Sequence, residues 1–165
     1  MLKDYLLNWC RNEFENSNAG FCDCSCNNKE YCHHDCQECL NQVHWYPTHG
    51  GRSDYDCPNL LLNYVLHYTD CYSQQISEAL KLVDISRYPY YNIFSMAFED
   101  AVDEDQDIYY KGYDRNPLWE PIHDRIDEYT SQTAHIETKL CREDIFDVFA
   151  EGKPAHKQYN IVIIQ

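Results

Sequence analysis

Glycine is scarce in this chain, and so are basic residues. Only five glycines occur: Gly20, Gly50, Gly51, Gly112 and Gly152. None falls in G-x-G-x-x-G or G-x-x-x-x-G-K-[ST], the patterns in which glycine lets the backbone close on a phosphate. G-x-S-x-G and H-E-x-x-H are missing too, which removes common hydrolase and metalloprotease signatures. Lys and Arg number 13 against 28 Asp and Glu, a formal charge of −15. Duplex binding draws most of its affinity from cations that displace counterions, so direct nucleic-acid binding is not expected. No apolar run approaches the roughly 20 residues of a membrane span. The opening MLKDYLLNWC has neither an apolar signal core nor a small-residue cleavage site. The expected setting is the cytoplasm of a bacterial host or a phage-infected cell, with no membrane partner.

What the chain does contain is enough for a core. Apolar residues make up 44% and aromatics 15%, too rich for a disordered acidic tail. A length of 165 residues suits one compact unit or two small ones.

Cysteine carries the most chemical information. Cys22, Cys24, Cys26, Cys32, Cys36 and Cys39 fall within 18 residues, and His33, His34, His44, His49 and Cys57 extend the group. Between them the apolar pattern is nearly absent, so the segment needs a staple. With no export signal, the spacing favours structural zinc, held by four Cys or His ligands in a tetrahedron, over a disulfide framework. Cys36-x-x-Cys39 is the strongest half-site, since one tight turn presents both sulfurs. Cys22, Cys24, Cys26, Cys32, His44, His49 and Cys57 are candidates for the remainder, enough for one or two ions. Disulfides, thiols without metal and an iron–sulfur cluster are the alternatives. Cys32, Cys36 and Cys39 also have the C-x-x-x-C-x-x-C spacing of radical S-adenosylmethionine enzymes. Those enzymes need a barrel of roughly 200 or more residues, and here a long helix follows instead of alternating strands and helices. Cys10, Cys71 and Cys141 lie within apolar patterns and read as buried small hydrophobes.

Residues 4–16 predict a helix with Leu6, Leu7, Trp9, Cys10 and Phe14 facing inward. A metal-rich loop follows from about 20 to 56. Asp56-Cys57-Pro58 then forms a start signal for a helix over 58–85, with Leu61, Val65, Tyr68, Tyr72, Ile76, Ala79 and Val83 on its apolar face. Beyond Pro89 the period changes. Strands are predicted at 91–97, 108–113, 136–140 and 159–164, with helices from Pro117 to about 129 and over 143–149. Alternation with apolar strands predicts a parallel α/β sheet. The organisation expected is thus a helix and zinc-binding segment (1–57), a long amphipathic helix (58–87) and a small, mostly parallel Rossmann-like α/β unit (88–165). The last strand, YNIVII, is apolar enough to need cover on both faces. Helices, a partner, a second copy of the chain or a missing remainder of the fold are the options.

The runs YNIFSMAF, DIYYKGYDRNPLWEPIHDRI and YNIVIIQ resemble the first half of class I S-adenosylmethionine-dependent methyltransferases, in truncated and degenerate form. The resemblance covers roughly residues 88–165. It implies that Asp114, ending the second strand, is the acid that binds a cofactor ribose. An alternative role for Asp114 is to cap the helix starting at Pro117. The chain departs from the family after the first strand, where Met96-Ala97-Phe98-Glu99-Asp100-Ala101 replaces the glycine loop. S-adenosylmethionine binding and independent catalysis are therefore not expected.

Glu99, Asp100, Asp103, Glu104, Asp105 and Asp107 concentrate negative charge. The plain expectation is a solvated loop; the sharper one is a phosphate-like row that binds the basic surface of a partner. A short, acidic, metal-braced chain is similar in outline to inhibitors of defence nucleases such as anti-CRISPR proteins. The function expected is non-catalytic protein interaction, directed at the basic groove of a nucleic-acid-binding enzyme. The alternative is a methyltransferase, or a half-domain of one that a partner completes.

Overall fold

A computed structural model of the chain describes residues 2–17, 32, 35–44, 55–82, 90–93, 107–133, 135–143, 147, 150 and 160–161. Two compact units divide within the longest helix: Asp4–Asp70, and Cys71–Gln165 together with Met1–Lys3.

The first helix, α1, spans Leu2–Asn16. Leu2, Leu6, Leu7 and Cys10 are buried along one stripe, as a 3.6-residue period requires. Trp9 and Phe14 are only half-buried, so the expected inward face is narrower at its end. Ser17 closes the helix, its N–H donating to the Glu13 carbonyl (3.0 Å) and its hydroxyl to that of Phe14 (2.8 Å).

A helix, α2, spans Cys36–His44, within the stretch expected to be loop. Two signals explain it. Cys36, Cys39, Leu40 and Val43 are all buried and recur at i, i+3, i+4 and i+7. Cysteine counted only as a metal donor hides that stripe. Asp35 supplies the N-cap, its Oδ1 accepting from the N–H groups of Gln37 (2.8 Å) and Glu38 (3.2 Å).

Helix α3 spans Pro58–Lys81, starting where the proline signal indicates. Leu61, Val65 and Ile76 are buried, with Leu60, Leu62 and Leu80 beside them. Ala79, expected inside, is exposed. The i+4 line from Tyr72 runs through Ile76 to Leu80, which turns Ala79 and Cys71 away. Cys71 is accordingly exposed, not buried, with its sulfur 3.4 Å from the Gln75 amide nitrogen. At the end of its described range the Leu82 N–H bonds to the Ala79 carbonyl (3.2 Å) in a tightened last turn; residues 83–85, expected to continue the helix, lie outside the described residues.

The second unit holds a mixed α/β arrangement around a parallel sheet. Its strands are β1 (Tyr90–Ile93), β2 (Asp107–Tyr113), β3 (Ile136–Cys141) and β4 (Asn160–Ile161), in the order β3-β2-β1-β4. All pairings are parallel. Ile108 to Tyr113 lie opposite Ile136 to Cys141, Asn92 opposite Tyr109, and Ile93 opposite Ile161. Residues 94–97 and 162–164, expected to continue β1 and β4, lie outside the described residues. Of the short helix expected over 143–149, Asp147 is helical.

The helix expected from Pro117 begins differently. A 3-10 turn over Pro117–Trp119 precedes α4, Glu120–Thr130. An α-helix running on from Pro117 would require an N–H at Pro121 and would press its ring against the Pro117 carbonyl. The chain instead bonds Glu120 N–H to the Pro117 carbonyl and places Pro121 in the first turn of a new helix. Ile122, Ile126 and Thr130 are the buried face of α4. Thr130 and Thr138 hydroxyls meet at 2.9 Å, and Thr138 donates to Asp127 Oδ1 at 2.6 Å, joining α4 to β3.

Candidate metal centre and the carboxyl edge of the sheet

Two helix N-termini bring cysteines together in the first unit. Cys36 is the first residue of α2, and Cys57 immediately precedes α3, its carbonyl accepting from Leu61 N–H at 3.1 Å. Cys36, Cys39 and Cys57 are buried in one cluster with Leu40, Val43 and Leu60. Cys32, Phe14, Tyr55, Tyr64 and Tyr68 pack against it, half-buried. Asn63 on α3 donates to the Cys36 carbonyl at 3.2 Å, tying the two helix starts to each other. Tyr64 meets Tyr55 edge-on (5.0 Å between ring centroids) and Tyr68 at a tilt (5.1 Å). These rings shield the sulfur group from water.

Cys32, Cys36, Cys39 and Cys57 are thiols. Among the described residues, no three Cys, His, Asp or Glu side chains are grouped as a metal shell. Cys22, Cys24 and Cys26 lie outside the described residues. His44 closes α2, eight residues beyond Cys36, or about 12 Å along the axis. Cys10 stands apart in character. Burial, with Glu13 adding to it, pushes its thiol up to about 12, so it stays protonated and inert.

At the carboxyl edge of the sheet, Asp114 directly follows β2, and its N–H donates to the Cys141 carbonyl of β3 (3.0 Å). The expected cap role falls to another residue. Asn116 Oδ1 accepts from Leu118 N–H (3.0 Å), while Asp114 Oδ1 accepts from Asn116 N–H (2.7 Å). The sequence signal was Asn116-Pro117, a cap residue followed by proline at the first helical position. Trp119 stacks on His123, with centroids 6.4 Å apart and planes 18° from parallel. Burial lowers the His123 pKa, against the pull of Asp114, Asp127 and Asp124. The edge thus offers a carboxylate acceptor, an indole and a neutral imidazole.

The acidic row is described only at Asp107, the first residue of β2, opposite Tyr90. Glu99, Asp100, Asp103, Glu104 and Asp105 lie outside the described residues. No described helix is long and apolar enough to cross a membrane. Comparison with protein families, with curated proteins and with solved structures yields no match.

Proposed function

We propose that this chain is a zinc-stabilised acidic interaction protein without catalysis of its own, and that it occupies the basic groove of a nucleic-acid-binding enzyme such as a CRISPR-type nuclease. The observation that carries this reading is a thiol-built core in a chain of net charge −15. The ion would stiffen a scaffold whose acidic residues take the place of phosphates in the groove. Competition tests it: a guide-loaded CRISPR nuclease is mixed with labelled duplex target and rising amounts of the protein. Displacement of the duplex is expected, weakening at least tenfold between 50 and 300 mM salt (roughly, as screening of several charge pairs implies). Neutralising Glu99 to Asp107 should weaken it further. Duplex binding untouched by excess protein, or displacement indifferent to salt, contradicts the groove reading.

A second reading has its own support. The order β3-β2-β1-β4 matches the start of the doubly wound Rossmann arrangement, in which ligands sit at the carboxyl ends of the strands. Asp114 occupies that end of β2. Under this reading the chain binds S-adenosylmethionine, alone or once a partner completes the sheet. Calorimetry with S-adenosylmethionine separates the two. Micromolar binding that Asp114→Asn removes, with the fold intact by circular dichroism, would favour the methyltransferase reading; no heat favours the interaction protein.

A further inference from the structure

We infer that β3 is an interface strand: its outer edge pairs antiparallel with β3 of a second copy of this chain, about a twofold axis through Thr138. This goes beyond the zinc and groove readings and does not depend on either.

The sheet ends at β3. In the order β3-β2-β1-β4 it has β2 on one side and, among the described residues, no strand on the other. Backbone groups alternate in direction along a strand. The Cys141 carbonyl accepts from Asp114 N–H, so Cys141, Lys139 and Glu137 turn their backbone groups toward β2. Ile136, Thr138 and Leu140 turn theirs outward. The Ile136 N–H is taken by the Thr133 carbonyl (3.4 Å). The N–H groups of Thr138 and Leu140 and the carbonyls of all three remain facing out, the kind of edge that recruits another strand.

Side chains give the occupant and the register. Glu137 and Lys139 are exposed, alternating with half-buried Ile136, Thr138 and Leu140. Thr138 bonds to Thr130 and Asp127 of α4, so the two charged residues lie on the opposite face. Neither forms an ion pair among the described residues. Two β3 strands paired antiparallel bring their outward groups together only in alternate registers. With Thr138 opposite its own copy, Glu137 lies opposite Lys139 on both sides of the axis, in the close positions between hydrogen-bonded pairs. The two Thr138 residues then exchange both backbone bonds, and each Leu140 N–H meets the Ile136 carbonyl of the other copy. The neighbouring registers set Glu137 against Glu137 or Lys139 against Lys139. Such a strand complements itself, which is what an isologous twofold contact needs.

Solvated charges that guard an edge are the competing account. Charges of one sign guard best, because they repel in every register. A Glu and a Lys two places apart repel in two registers and attract in the one between. Repulsion between chains of net charge −15, and between the Asp127 carboxylates on the α4 side, opposes the contact. The dimer expected is therefore weak and concentration-dependent.

Charge reversal on the full chain, read by sedimentation equilibrium, tests this. The wild-type chain should pass from monomer to dimer as its concentration rises toward about 1 mM, the weak end of specific association. Glu137→Lys and Lys139→Glu each make both symmetry-related pairs like-charged, and each should weaken the dimer by roughly tenfold or more. An equimolar mixture of the two variants should dimerise as the wild type does. So should the double variant Glu137→Lys/Lys139→Glu, since both arrangements restore opposite signs across the axis. Circular dichroism checks that these exposed substitutions keep the fold, and the double variant decides the matter if a single one misfolds. A wild-type chain that stays monomeric throughout overturns the inference. So does a dimer that the single variants leave unchanged, or a mixture and double variant that stay monomeric. Tighter association of Glu137→Lys alone also overturns it, because overall charge would then govern the contact.

Discussion

A single carboxylate decides where α2 begins. Asp35 accepts from two N–H groups that would otherwise lack a partner in the helix, and Glu38 three residues on completes the sequence pattern of a capping box. Asp35→Ala should cost about 0.5–2 kcal/mol, read as a lower urea midpoint, while Asp35→Asn keeps most of the cap. Equal stability of the alanine variant would show that the turn forms without it. This cap was legible in the sequence, as Asp followed at three residues by Glu, but the surrounding cysteines drew the segment toward loop. His123 offers a second test. Its neutral form is favoured by burial, so its folded pKa lies below the ordinary value of about 6.5. As pH falls below about 6.5 the unfolded chain takes up the proton first, and stability is lost until the folded pKa is reached. The His123 ring proton should therefore titrate with a midpoint below 6.5 by NMR. His123→Gln should also flatten the fall in stability between about pH 7 and 5. A midpoint at or above 6.5 contradicts the burial described for the Trp119–His123 stack.

Elements were legible where one period dominates. Helix α3 and the parallel strands follow from spacing and apolar runs alone, and the start of α3 from Pro58. Ends and breaks were harder, because they depend on single hydrogen bonds and ring clashes. Pro121 splits what reads as one helix, and the last turn of α3 tightens at Leu82. The inward face of α3 near its end is a sharper case. Ala79 fits the three-and-four spacing as well as Leu80 does, yet Leu80 is buried and Ala79 exposed. Leu80→Ala should cost about 2–5 kcal/mol, whereas Ala79→Gln should stay within about 0.5 kcal/mol of wild type. Calorimetric unfolding of both variants checks this, and a reversed order would place the wrong face inward.

For the molecule as a whole, two kinds of order are joined in one chain. The unit from Cys71 onward takes its organisation from a parallel sheet and the α4 face that Ile122, Ile126 and Thr130 bury. The Asp4–Asp70 unit builds part of its core from sulfur. The sequence showed that cysteines were concentrated but not which of them meet, since Cys57 joins Cys36 only through the docking of α3 on α2. Residue type showed where cysteines concentrate, and tertiary packing decides which of them share a buried cluster. Asp114 shows the same limit, because its place at the end of β2 was readable but the bond to Asn116 N–H was not. If zinc braces the sulfur core, its removal should unfold the unit that contains it, as for other small domains that couple metal binding to folding. Native mass spectrometry of the full chain before and after dialysis against a strong chelator, paired with thermal unfolding, tests this most directly. The expected result is at least one zinc per chain that the chelator strips, with an unfolding transition that drops or disappears as the zinc leaves. A bare-mass spectrum from the outset, with an unfolding curve unmoved by chelator, would contradict it.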